Sequence, residues 1–341
     1  MAFKSRLKCL FLKPIFCILF ATFLHFARNT TAGKVNQIRY CIGCNQGCYD
    51  SFCASLYNPA IKHITCMRNP GLLEEETLGL KQSSSPKKVV ILGGGIAGME
   101  AALDLKETGN TPILFEKSDS LGGQFLLAGA ISAKKDFKNA VDKMILDVQE
   151  SGIEVHLNTV VTKEMLEEIK PDALIVAIGS SPIVLPIEGS ERTIIAHDVL
   201  SEKVEVSGEN VVVIGGGLVG FETAEFLAAR QKKVTVLEMK EKALQDLGPL
   251  RQITAQFAIA QMPITIETSA TVERIDDKVV VASGKEYPYD SVIMAVGSKA
   301  NDTSMYANLD IPTYIVGDCK KAGIALDAFK DAYHAVLEIN K

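Results

Sequence analysis

No tryptophan occurs in this 341-residue sequence, and aromatic residues of any kind make up only 6% of it. The best stacking platform for nucleic-acid bases is therefore missing. An excess of positive charge is missing too. A net charge of −5 and a pI near 5.7 argue against nucleic acid as the main partner. A run of apolar residues long enough to span a bilayer is also absent: the longest candidate, "PIFCILFATFLHFA" at residues 14–27, falls short of the ~20 residues a span requires.

That run lies in an N-terminal stretch with no acidic residue before Asp50, among the basic residues Lys4, Arg6, Lys8, Lys13, Arg28, Lys34 and Arg39. A basic flank beside a short apolar run resembles a secretory signal, but no A-x-A cleavage site follows it. Two readings stay open for residues 1–33. They are either an interfacial anchor or uncleaved signal touching the membrane, or an extension with no folded role. The whole chain has 47% hydrophobic and 23% charged residues, and its body reads as an ordinary cytoplasmic enzyme of about two domains.

From Gly33 to about Leu80 the chain is rich in turns and carries Cys41, Cys44, Cys48, Cys53 and Cys66. "KQSSSPKK" at 81–88 reads as a linker. Beyond it, β-branched runs alternate with helical patterns, which predicts βαβ units around parallel sheets. The pattern is an internal repeat. "KKVVILGGGIAGMEAALDLKETGNTPILFEK" from residue 87 returns as "ENVVVIGGGLVGFETAEFLAARQKKVTVLEM" from 209. Gly93, Gly95, Gly98 and Glu116 recur at one constant offset as Gly215, Gly217, Gly220 and Glu238. "DALIVAIGSS" and "DSVIMAVGSK", ending in Gly179 and Gly297 with their flanks, form a second matched pair.

Each copy thus reads strand, G-x-G-x-x-G, amphipathic helix, strand, Glu. The glycines serve a tight turn, close approach of a pyrophosphate and helix-on-sheet packing. The helix N-terminus faces the phosphates, and the carboxylate accepts from ribose hydroxyls. One such motif is weak evidence, but two in matching context predict two dinucleotide sites. Glu238 would repel a 2′-phosphate and favours NADH over NADPH, although Lys240 and Lys242 lie close enough in sequence to compensate.

These motifs resemble those of flavoprotein reductases in which one Rossmann unit holds FAD and an inserted one holds NAD(P)H. The resemblance implies that Ala97 joins the first glycine loop at FAD. "FEKSDSLGGQF" would bring Glu116 and Lys117 to the adenosine and Gly123 and Gln124 past the flavin. "YIVGDC" would bring Gly317 and Asp318 to the ribitol. The cysteine segment, "IRYCIGCNQGCYDSF" with "CMRNPG", looks like the iron–sulfur segment of the Old Yellow Enzyme-related NADH:flavin oxidoreductases, which include 2,4-dienoyl-CoA reductase, 2-enoate reductase and trimethylamine dehydrogenase. In that family an FMN-bearing TIM barrel precedes the cluster; nothing here resembles it.

The resemblance implies a [4Fe–4S] cluster on Cys41, Cys44, Cys48 and Cys66, with Cys53 the rival fourth ligand. Four cysteines would also suit zinc. A catalytic C-x-x-C is absent from the nucleotide-binding portion, where Cys319 stands alone. His156 and His197 read as structural residues, and Glu222 as either a nicotinamide neighbour or a helix-start acid. No side chain is assigned a catalytic role, because hydride transfer between the two rings needs alignment rather than an acid.

The expected organisation is α/β. It has an iron–sulfur segment and linker at 34–85, an FAD domain at 86–189 and 288–341, and an inserted NAD domain at 190–287. The expected function passes electrons from NADH through FAD to the cluster, and onward to a separate FMN-bearing barrel protein or another acceptor. The alternatives are a truncated, non-catalytic FAD-binding or docking protein, and an electron donor like the glutamate synthase small subunit.

Overall fold

The computed structural model describes residues 30, 31, 33, 38–61, 63–131 and 134–341. The apolar run at 14–27, with Cys9 and Cys17, lies outside the described residues. Among those described, no helix is long and apolar enough to cross a membrane.

The chain divides into two compact units, residues 1–125, 139–179 and 301–341 forming one and residues 126–138 and 180–300 the other. In the first, five parallel strands lie in the order Thr313–Ile315, Ala173–Val176, Lys88–Leu92, Thr111–Phe115, Glu154–His156. Val89, Val90 and Ile91 are fully buried, as an unbroken β-branched run covered on both faces requires. In the second, the order is Ile194–Ile195, Ser291–Met294, Asn210–Ile214, Lys233–Leu237, Ile264–Glu267, again all parallel. An antiparallel sheet of Val272–Ile275, Val279–Ala282 and Lys285–Pro288 completes the second unit, together with the short pair Ser180–Pro182 and Ser298–Ala300.

Two boundaries differ from the sequence reading. The inserted unit runs from Ser180 to Ala300 rather than from 190 to 287, because Ser291–Met294 hydrogen-bonds beside the glycine-loop strand of its own copy. Residues 126–138 also belong with it, since Leu127 and Ala130 pack against the core containing Val211, Val213 and Phe226.

The cysteine segment is part of the first unit. A Cβ on Gly71 would come within 2.6 Å of the Tyr333 hydroxyl, so that ring would have to shift to admit one. That hydroxyl donates to Leu78 O at 2.6 Å, and Leu326 N donates to Gln46 Oε1 at 3.2 Å. The segment is therefore fastened to the helix Ala325–Ile339.

Candidate functional site

The two glycine loops repeat each other atom by atom. Gly93 and Gly215 have φ of +104° and +108°, a region that L side chains rarely adopt. A Cβ on either would collide with the carbonyl of Ala177 or Ala295. A Cβ on Gly98 or Gly220 would strike Gly93 O or Gly215 O, so these glycines let the helix close on its strand. The middle glycines differ. Nothing lies within 4 Å of a Cβ placed on Gly95, and only Asp246 Oδ2 at 3.3 Å approaches one on Gly217. These two positions cap the helices Ile96–Glu107 and Leu218–Ala228, whose first N–H groups face that open space.

The acids are held equally alike. Glu116 Oε2 accepts from Gly94 N at 2.6 Å, and Glu238 Oε2 accepts from Gly216 N at 2.7 Å. Their second oxygens accept from Ser118 N and Lys240 N, each at 2.8 Å. Each carboxylate is thereby fixed at the rim of its loop, buried yet beside the opening. Gly122 N donates to Gly94 O at 2.8 Å, which lays the GG turn over the first loop, and a Cβ on Gly123 would sit 3.0 Å from Gly95 Cα. Leu244 N does the same to Gly216 O at 2.9 Å, a counterpart that the motif search missed.

Gln124 and Lys117 are exposed beside that turn. Gly317 approaches Ala97, with room for a Cβ only 3.2 Å from that methyl, so Asp318 stands at the N-terminal end of the first glycine helix. Asp318 Oδ1 accepts from Gly323 N at 3.3 Å. Gly179 and Gly297 follow the strands beside the two loops, with open space around both.

His156 stacks on Phe115 at 4.6 Å between ring centroids and binds Glu154. Cys319 is buried and donates to Val176 O at 3.1 Å; burial raises its pKa. Glu222 is buried, which raises its pKa, and it pairs with Lys134. His197 lines a small cavity with Val219 and Met294 in the second unit, and its burial lowers its pKa.

The two parts of the cysteine segment meet at one backbone contact. Gly47 O accepts from Thr65 N at 2.7 Å, and a Cβ on Gly47 would clash with the Thr65 backbone. That contact returns the chain to the first three cysteines, while the exposed residues Leu56 and Tyr57 loop outward. All six pairs among Cys41, Cys44, Cys48 and Cys66 lie within electrostatic reach. Gly43 N donates to Cys41 Sγ at 3.4 Å, and the backbone N–H groups of Gln46, Tyr49, Arg68 and Asn69 partly offset the effect of burial on Cys44, Cys48 and Cys66. Cys53 instead lies beside the Tyr49 side chain, one helical turn away, and raises its pKa. Burial first, then the neighbouring thiols, pushes Cys44 up to about 11, and burial raises Cys48 and Cys66. Among the described residues, no three His, Cys, Asp or Glu side chains converge as a single-ion site would require.

A buried charge cluster escaped the sequence reading. Arg39 Nη1 donates to Glu100 Oε1 at 2.6 Å, and Arg68 and Asp104 are also buried. Burial and then Glu100 raise Asp104 well above the usual carboxylate range. Burial and then Arg39 lower Arg68 to about 10. Burial alone would lower Arg39, but Glu100 and Asp104 outweigh it. The available signal was two acids four residues apart in the apolar stretch "IAGMEAALDL" of the helix Ile96–Glu107.

Paired loops of this kind, one in each of two parallel α/β units, define a two-dinucleotide flavoprotein oxidoreductase. Residues 87–324 match the pyridine nucleotide-disulphide oxidoreductase family, and the chain belongs to it. It is 34% identical to the cinnamate reductase of Clostridium sporogenes over 90% of this chain and 46% of that protein. It is also 34% identical to the NADH oxidase of Thermoanaerobacter brockii, over 90% of this chain and 48% of that one. A solved structure of a 2-naphthoyl-CoA reductase complex superposes with TM-score 0.84 at 28% identity, covering 93% of this chain and 49% of that one. The chain thus corresponds to the C-terminal part of enoate reductase-type relatives and spans about half their length.

Proposed function

We propose that the chain is an electron-input module that takes a hydride from NADH onto FAD and passes the electrons singly to a [4Fe–4S] cluster. The observation that carries this reading is the pair of matching glycine loops, together with the Gly47–Thr65 contact that brings the chain before Cys66 back to the stretch of Cys41, Cys44 and Cys48.

FAD is assigned to the first loop. Gly93, Gly95, Ala97 and Gly98 would leave room for its pyrophosphate, Glu116 would accept from its ribose, Lys117, Gly123, Gln124 and Gly179 would line its path, and Gly317 and Asp318 would meet its ribitol. NADH is assigned to Gly215, Gly217, Gly220, Glu238 and Gly297. The fixing of Glu238 by Gly216 N and Lys240 N keeps a negative charge where a 2′-phosphate would otherwise sit.

The cluster is assigned to Cys41, Cys44, Cys48 and Cys66. N–H donors aimed at sulfur favour thiolate ligands. The raised pKa values mean that the thiols hold protons until a metal displaces them, so loading releases protons. The acceptor beyond the cluster is proposed to be an FMN-bearing barrel protein that reduces an activated alkene such as an enoate or enoyl thioester.

Anaerobic purification followed by flavin, iron and sulfide analysis tests the cofactor assignment; a colourless protein holding zinc would contradict it. NADH oxidation with an artificial dye acceptor tests turnover, and its absence in the flavin-loaded protein would leave only a binding or docking role.

A further inference from the structure

The two glycine loops, so alike in backbone, differ in charge at one position. At the offset that relates Gly94 to Gly216 and Gly122 to Leu244, Gln124 of the first unit corresponds to Asp246 of the second. A neutral amide thus stands two residues past the turn laid over the first loop. Two residues past the turn over the second loop stands an acid.

That acid reaches the place a nucleotide would enter. A Cβ on Gly95 would meet nothing within 4 Å, whereas one on Gly217 would lie 3.3 Å from Asp246 Oδ2. The middle glycine of this motif exists to let a pyrophosphate approach the backbone. The Asp246 carboxylate therefore borders the space that the pyrophosphate of the assigned dinucleotide would occupy. The turn that carries it is fixed: Leu247 N donates to Leu244 O at 3.1 Å, and both leucines are buried in one cluster with Phe221 of the helix Leu218–Ala228. Asp246 itself is exposed, and among the described residues it takes part in no ion pair.

We propose that Asp246 weakens the hold of the second loop on its dinucleotide, its carboxylate opposing the incoming pyrophosphate. The inference rests on the assignment of NADH to that loop. The first N–H groups of the helix attract the phosphates, and Asp246 offsets part of that attraction. Because the carboxylate is exposed, solvent and salt limit the effect to a loss of affinity rather than exclusion. The difference suits the two cofactors: a hydride donor has to leave as NAD+ before the next can enter, whereas a flavin stays through every cycle. Asp246 acts on binding and release and takes no part in hydride transfer.

The test is calorimetric titration of NAD+, which cannot reduce the flavin, into the purified FAD-loaded chain and into Asp246→Asn and Asp246→Ala. At low ionic strength both variants are expected to bind NAD+ about fivefold more tightly than wild type. That gain should shrink as salt is added, and the FAD content should not change. Unchanged or weaker binding in both variants overturns the proposal, as does a gain that salt leaves intact. A gain confined to Asp246→Asn also overturns it, since a new amide hydrogen bond rather than lost charge would be its source. Wild-type protein that holds FAD but binds no NAD+ would refute the assignment of the second loop, whereas equal binding by wild type and both variants refutes only the role of Asp246.

Discussion

Gly95 and Gly98 sit three positions apart in one loop and should fail in opposite ways when given a methyl group. Gly95→Ala projects into open space, so the fold should survive while FAD affinity falls about tenfold or more, measured by flavin retention on gel filtration. Gly98→Ala drives a methyl into Gly93 O and should cost ~1–3 kcal/mol of stability in denaturant unfolding. The motif spelling was readable in the sequence, but the division between packing and ligand-facing glycines was not, because it depends on which carbonyl lies above each one. Asp104 supplies a pH effect. Burial raises its folded pKa, so the stability tied to its protonated form is complete below the ordinary carboxylate range and is lost as pH rises through the raised value. Asp104→Asn should flatten that decline in a series of melting curves across pH.

At the scale of elements, the cysteine loop depends on one close contact. Gly47→Ala would press a methyl into the Thr65 backbone and move the stretch that carries Cys66. The variant is expected to lose most of its iron while keeping FAD, whereas Cys53→Ser should keep both, as read by metal analysis and flavin absorbance. The sequence left Cys53 and Cys66 in competition because the interval before Cys66 is long. The proposed choice of Cys66 is supported by Thr65 N bonding Gly47 O, a contact between a glycine and a β-branched residue that no spacing rule encodes. The two parallel sheets were legible for the opposite reason, since their strands are continuous apolar runs bounded by glycine turns. The placement of Ser291–Met294 was half-legible: its likeness to Ala173–Val176 already marked it as the closing strand of the second copy, while the boundary expected at 287 ignored that likeness.

For the whole molecule, two separate glycine loops mean that the two nucleotide sites can be impaired independently. Gly217→Ala is expected to retain FAD and raise the KM for NADH about tenfold or more in a dye-reduction assay, the converse of Gly95→Ala. The charge cluster of Arg39, Arg68, Glu100 and Asp104 was legible only in its paired acids, since the two arginines join them from the cysteine segment, far away in sequence. The central claim is electron flow from NADH to the cysteine-bound cluster, and the most direct measurement is anaerobic addition of NADH to the purified chain, followed by optical absorbance and low-temperature EPR. Bleaching of the flavin with the appearance of a reduced [4Fe–4S] signal is the expected result. Flavin bleaching with an iron- and sulfide-loaded protein that stays EPR-silent would contradict the account.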